Sequence, residues 1–332
     1  MINNDKFLIR NLKNIVLFGF QKTFKEIIKF NNSHKLKTLI ITSPDQKKLF
    51  DKNLDVFSFN KVDDKFKRFI KDKFDPIETL FISIGSRWIF KKNDIEKYFK
   101  NNLVNFHGTR LPYDKGGAFI SWQILKNDRI ENQMIHLLDG SIDTGPILMH
   151  DNSIYPSYCK VPCDFEKYYD ARQLNFYKKF IKKLLNKENI FLKRQVEYVG
   201  SYNPRLNSDI SSWINWNMNS QNLYRFINAF DDPYKGARTY INDMEVRVKS
   251  VHLHGGEQGN HPFSTGLIYR HDKKWLVVST IDENMILIEK VFNNKNQNVI
   301  DKLKEGDRFH TPSINLDKSL SKKVKYTAKG LK

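Results

Sequence analysis

Short apolar runs alternate along the first two thirds of the chain with stretches in which apolar positions recur every three or four residues. Residues 14–20 (NIVLFGF), 38–42, 56–59, 79–84, 103–107 and 133–139 read as strands. Between them, residues 21–32 carry Phe24, Ile27 and Ile28 at helical spacing, and residues 62–74 carry Val62, Phe66, Phe69, Ile70 and Phe74 on one helix face. Residues 119–126 and 174–186 predict two further helices, the second marked by Leu174, Tyr177, Ile181, Leu184 and Leu185. Strands that are apolar throughout, separated by amphipathic helices, predict an α/β unit with a parallel sheet covered on both faces. Sheets of that kind bind ligands outside the carboxyl ends of their strands.

The texture then changes. Residues 201–219 are polar around Pro204, Trp213 and Trp216 and read as a loop, and residues 223–230 as a short helix. Residues 237–241, 245–251, 266–269, 275–280 and 285–291 follow as short strands separated by turn residues, the signature of a small barrel or sandwich. The expected division is a catalytic domain over 1–200, a linker loop and helix over 201–236, and a β-rich domain over 237–332. The basic stretch from Ser321 (SKKVKYTAKGLK) is expected to be a loose tail.

Composition narrows the class. A chain of 332 residues, 40% hydrophobic with 25 Phe, can bury two cores. No apolar run approaches the roughly 20 residues of a membrane span, and Met1-Ile2-Asn3-Asn4-Asp5-Lys6 lacks a basic-then-apolar signal pattern. A cytoplasmic protein without a membrane partner is expected. The net charge of +19 reads chiefly as a solvated, Lys-rich surface, with an anionic partner as the alternative. Cys159 and Cys163 are the only cysteines, and His252, His254 and His261 lie far from them, so neither a metal site nor a disulfide is expected.

Asn105, His107 and Asp143 are the candidate catalytic residues. Asn105 and His107 are two apart in an extended run and share one face; Asp143 lies just past another run. An imidazole titrates near neutrality and can take a proton from an attacking amine. The Asn105 amide can donate to an oxyanion without carrying charge. Asp143 can orient the imidazole and favour its charged form, or relay a proton through water. No serine or cysteine nucleophile with a neighbouring base stands out, so direct acyl transfer to an amine is the simplest chemistry.

Asn105-x-His107-Gly108-Thr109-Arg110-Leu111-Pro112-x-x-x-Gly116-Gly117 resembles the Asn-x-His-x-Ser-Leu-Leu-Pro-x-x-x-Gly signature of the folate-dependent formyltransferases. Leu138-Asp139-Gly140-Ser141-Ile142-Asp143-Thr144-Gly145-Pro146-Ile147-Leu148 resembles their aspartate motif. Phe226-Ile227-Asn228-Ala229-Phe230-Asp231-Asp232-Pro233-Tyr234-Lys235-Gly236-Ala237 is similar to the segment that leads into the C-terminal domain of the tRNA and sugar enzymes. The resemblance implies a Rossmann-like catalytic domain, a small barrel-like C-terminal domain and N10-formyltetrahydrofolate as formyl donor. It implies that Asn105, His107 and Asp143 are catalytic, with His107 the base. It also implies that the pterin lies against Ser86, Arg87, Trp88 and Ile89 and near Ile142, with Trp88 either a wall of that slot or a core residue.

The form His-Gly-Thr-Arg-Leu-Pro, the following Ser121-Trp122-Gln123, and Tyr202-Asn203-Pro204-Arg205-Leu206-Asn207 resemble the nucleotide-sugar branch. That branch implies a dTDP- or UDP-linked amino-deoxysugar as partner and a place in surface-polysaccharide synthesis. Arg110, Lys115 and Arg205 are then candidates for the diphosphate, or else ordinary surface bases. The runner-up is a methionyl-tRNA formyltransferase, which the charge favours. Against it, basic residues are spread through the chain, and Thr109-Arg110-Leu111-Pro112 and Lys115 stand where tRNA enzymes carry Ser-Leu-Leu-Pro and an arginine. The expectation is therefore no nucleic-acid partner. A third reading is a binding protein that kept the fold without its catalysis. The aromatic residues of the C-terminal part fit stacking, a homodimer face or core packing.

Overall fold

The computed structural model describes residues 5–256, 260–327 and 330–331. A seven-stranded sheet occupies the N-terminal part. Its strands are β1 (Asn14–Gly19), β2 (Lys37–Thr42), β3 (Val56–Ser58), β4 (Thr79–Ile84), β5 (Leu103–His107), β6 (Ile130–Leu137) and β7 (Ile147–Ile154). The spatial order is β3-β2-β1-β4-β5-β6-β7. Strands β3 to β5 in that order are parallel, as the alternating pattern predicts. Strands β6 and β7 run antiparallel, a feature the apolar run at 133–139 does not announce. Strand β7 is absent from the sequence reading because it is half-exposed and polar in its second half (His150, Asp151, Asn152, Ser153).

Alternation within each central strand sends neighbours to opposite faces. Ile15 and Leu17 of β1 pack with α1 (Phe24–Ser33), whereas Val16 and Phe18 pack with α2 (Asp64–Lys73) and α3 (Lys92–Tyr98). Asp63 starts α2 by accepting a hydrogen bond from the Phe66 N–H at 3.1 Å. The helix expected over 174–186 is the end of a longer one, α5 (Pro162–Leu185). Its first turns are polar apart from Phe165 and Tyr169, so their apolar period is weak, yet both residues are buried.

Helix α4 (Phe119–Lys126) follows the first motif, and α6 (Ser220–Ala229) lies before the C-terminal strands. Asn219 caps α6, accepting from the Asn222 N–H at 2.9 Å. One apolar cluster runs from Ile120 and Ile124 of α4, through Leu223 and Ile227 of α6, into the C-terminal sheet. The two halves of the chain therefore share a core.

The C-terminal strands are β8 (Ala237–Ile241), β9 (Met244–His254), β10 (Ile268–Asp272), β11 (Trp275–Ser279), β12 (Met285–Asn293) and β13 (Phe309–His310). They form an antiparallel sheet in the order β10-β11-β12-β9-β8-β13. The sheet curls until its two ends meet: Ile268 N–H donates to Asp307 O at 2.8 Å, and Phe309 N–H to Gly266 O at 2.8 Å. Gly266 has φ +81°, and a Cβ there would sit 2.2 Å from Phe309 O, so this closure requires glycine. Trp213 stacks on Tyr240 and Trp216 on Phe309, both tryptophans buried; core packing accounts for them.

A last helix, α7 (Ser313–Ser321), precedes the basic tail. In that tail, which the sequence reading takes as loose, Tyr326–Thr327 pairs with Gly330–Leu331; Ala328, Lys329 and Lys332 lie outside the described residues, as do Met1–Asn4 of the expected signal-free start. Among the described residues, no helix is long and apolar enough to cross a membrane.

Ile227 is fully buried where α6 bridges the two halves. Ile227→Ala is expected to lose about 2–5 kcal/mol of stability, measured by urea unfolding. Because the core is shared, the N- and C-terminal halves are expected to lose stability together.

Candidate active site

Strand β5 is the spine of the site. Phe106 turns into the α1/α5 face of the sheet, so Asn105 and His107 turn to the other. The antiparallel register of β6 sets His136 directly opposite Asn105, and cross-strand partners share a face. His136 therefore joins the candidate trio, although the sequence reading passes over it. The one signal in the sequence is a polar residue among Met134, Ile135 and Leu137.

Asp143 reaches the same point from the loop between β6 and β7. Asp139 shapes that loop, accepting from Ser141 N–H at 3.0 Å and Thr144 Oγ1 at 2.8 Å. Asp143 itself adopts φ +55°, the left-handed region that a residue with a Cβ occupies at a cost.

The Asp143 carboxylate is the hub of the cluster. Its Oδ2 accepts from the Gly116 N–H at 2.9 Å. Its Oδ1 accepts from Asn105 Nδ2 at 3.4 Å and lies 3.4 Å from His136 Nε2 and 3.7 Å from His107 Nδ1. Asn105 Nδ2 is also 3.1 Å from His136 Nε2, while His136 Nδ1 donates to Leu137 O at 2.8 Å. Gly116 can supply its N–H because it lacks a side chain: with φ +102°, a Cβ would fall 2.2 Å from Asn203 O.

Burial alone would raise the Asp143 carboxyl. The His107 and His136 rings and the Gly116 N–H outweigh it and hold the group well below the ordinary carboxylate range, so it is ionised. Burial pushes His107 below its ordinary 6.5, with His136 adding to that effect and Asp143 opposing it. Asp143 is thus held as a carboxylate, while burial disfavours the charged form of His107. His107 Nε2 is buried and has no hydrogen-bond partner among the described residues. With Nδ1 turned to Asp143, Nε2 is the atom placed to receive a proton.

The other candidate residues divide. Ile89 and Ile142 are exposed apolar side chains, on the loop after β4 and on the Asp143 loop respectively. Ser86 Oγ accepts from Trp88 N–H at 3.2 Å. Trp88 packs edge-on against Phe18 and Phe66 in the core cluster beneath the loop. Arg87 forms an ion pair with Asp45 at 3.0 Å.

Lys115 is buried and its ammonium pairs with Glu197, which gives that charge a structural use. Arg110 is exposed and lies over the Tyr113 ring at 5.5 Å. Arg205 lies against Gly117 at the start of α4. Burial, with the charge of Arg87, lowers its guanidinium to about 10, still charged at neutral pH. Among the described residues, no cluster of three His, Cys, Asp or Glu could hold a metal ion.

Residues 208–307 match the family model "Formyl transferase, C-terminal domain". A methionyl-tRNA formyltransferase from Clostridium perfringens is 27% identical over 222 residues, 67% of this chain and 68% of that protein. Another, from Mycoplasma capricolum, is 24% identical over 76% of this chain and 77% of its own length. Among solved structures, an N-formyltransferase from Helicobacter canadensis, in complex with folinic acid and dTDP-3-aminofucose, shares the fold. It has a TM-score of 0.63 and 17% identity, over 84% of this chain and 99% of that one. A 4-N formyltransferase from Francisella tularensis has a TM-score of 0.56 and 19% identity, over 68% of this chain and 91% of its own. Residues 208–307 therefore match a formyltransferase C-terminal domain, and over two thirds or more of its length the chain is similar to formyltransferases in sequence and in fold.

Proposed function

We propose that the protein transfers a formyl group from N10-formyltetrahydrofolate to the amine of a dTDP- or UDP-linked amino-deoxysugar. In this reading, His107 Nε2 takes the proton from the amine as it attacks the formyl carbon. Asp143 holds the ring through Nδ1 and stabilises its charged form once the proton arrives. The formyl oxygen takes an Asn105 N–H now directed within the cluster, and that donor stabilises the negative charge as it develops. No charge need enter or leave the enzyme: the proton moves from amine to His107, and from there to the departing folate nitrogen. The exposed Ile89 and Ile142 offer apolar edges for a pterin ring, and the main chain at Ser86–Arg87 and Asp143 offers polar groups for its rim.

The observation that favours a nucleotide sugar is the Arg205 side chain packed against Gly117, next to the Gly116 whose N–H binds Asp143. A guanidinium held there suits the paired anionic oxygens of a diphosphate. A methionyl-tRNA acceptor is the second reading, supported by the names of the sequence relatives and by the net charge of +19.

The deciding experiment incubates the protein with N10-formyltetrahydrofolate and a panel of dTDP- and UDP-amino sugars, alongside methionyl-tRNA, and reads formyl addition by mass. Formylation of a sugar is expected. Formylation of the tRNA alone, with tRNA affinity falling steeply as salt rises, would replace the sugar reading by the second.

His107→Ala is expected to lower kcat by about 10²- to 10⁴-fold, and Asn105→Ala by about 10²- to 10³-fold, each in the same assay. Because burial lowers His107, the acid limb of the pH–rate profile should fall below pH 6.5, activity being lost as the ring protonates. Asp143→Asn removes the group that raises His107, so its residual activity should show an acid limb at still lower pH. A wild-type limb above that value would contradict a buried imidazole base.

A further inference from the structure

Residues 193–203 run past the Asp143 turn, from the start of β7 to the loop that holds Gly116. Lys193 and Ile147 exchange main-chain hydrogen bonds at 2.8 and 2.9 Å, which anchors the segment where β7 begins. Further along, Lys115 N–H donates to Ser201 O at 2.9 Å, Asp114 N–H to Ser201 Oγ at 2.9 Å, and Tyr202–Asn203 pairs in parallel with Lys115–Gly116. The segment is thus fastened both to the strand after Asp143 and to the loop that supplies the Gly116 N–H.

Between these fastenings, Gln195 Nε2 donates to Asp143 O at 2.9 Å and to Gly145 O at 2.7 Å. We propose that Gln195 is a positioning residue for formyl transfer: its amide clamps the left-handed turn at Asp143 and so holds the Asp143 carboxylate against His107, Asn105 and His136. The orientation of the amide follows from chemistry, since only its NH₂ can bind two carbonyls. The turn needs such a clamp because Asp143 adopts φ +55°, a conformation that persists only when its surroundings impose it. The same strap fixes the carboxylate end as well, through the pairing of Asn203 with Gly116. Gln195 touches no reacting atom and acts through Asp143.

The inference rests on the reading of His107 as base and Asp143 as its partner, and the test separates the two. Gln195→Met keeps the side-chain length and removes both donors; Gln195→Ala is the second variant. Folding is checked by circular dichroism and urea unfolding. The His107 ring is titrated by NMR, its signal assigned by its absence from His107→Ala. Asp143, His136 and Asp114 are the charged and titratable groups that act on that ring, and of these only Asp143 is held by Gln195.

With the clamp gone and the carboxylate free to retreat, the His107 midpoint should fall by about half a unit or more. With the acceptor found in the panel, kcat should fall about 10- to 100-fold, as expected for a displacement on the order of 1 Å, while both KM values stay within about threefold. An unchanged midpoint in a folded variant overturns the proposal, as does a raised KM at wild-type kcat. Failure of both variants to fold assigns Gln195 an architectural role and overturns it equally. Full activity in His107→Ala would instead remove the catalytic reading, with the NMR midpoint still reporting whether Gln195 holds Asp143 in place.

Discussion

A buried, ionised carboxylate is the constraint around which this protein is arranged. Asp143 is largely withdrawn from water, and a carboxylate in that position is unfavourable unless donors replace its hydration. The donors come from distant parts of the chain. Gly116 belongs to the loop after β5 and Asn105 to β5 itself, while the His136 ring of β6 lies 3.4 Å from the same carboxylate. Each is effective only if the sheet register, the glycine backbone and the loop geometry are all correct. The strap at 193–203 and the start of α4 then have fixed places, because they must hold Gly116 where its N–H meets the carboxylate.

This arrangement sets the character of His107. Burial disfavours the charged imidazole and Asp143 favours it, so two opposing effects act on one ring. The His107 Nε2 accompanies it: a buried nitrogen with no hydrogen-bond partner among the described residues. Such an atom is costly to the fold and useful to a reaction that needs a proton acceptor.

The second structural dependence is the shared core. Helices α4 and α6 pack through one apolar cluster that continues into the C-terminal barrel. Helix α4 starts two residues after Gly117, and Arg205 lies against Gly117. The barrel therefore bears on the wall of the site through packing, although its strands carry none of the trio. The sequence shows two textures and a polar segment between them, which reads as two units joined by a linker. The contacts join them more closely than that reading suggests.

Much of the molecule was legible in the residues alone. Strands buried on both faces declare themselves as continuous apolar runs, so β1, β2, β4 and β5 were found almost to the residue. That Asn105, His107 and Asp143 could meet was legible because side chains of that chemistry are unusual at strand ends. The edge strand β7 and the first turns of α5 were not, because half-exposed elements mix polar and apolar positions and blur the period. His136 and Gln195 escaped for a different reason. Neither belongs to a local pattern; each gains its role from what faces it, His136 through the antiparallel register of β6 and Gln195 through a segment folded back over the Asp143 turn. Local composition by itself determined which side chains could do acid–base chemistry. The pairing of distant strands and loops decided which of them meet, in what charge state, and held by what, because burial and hydrogen bonding exist only once the chain has closed on itself.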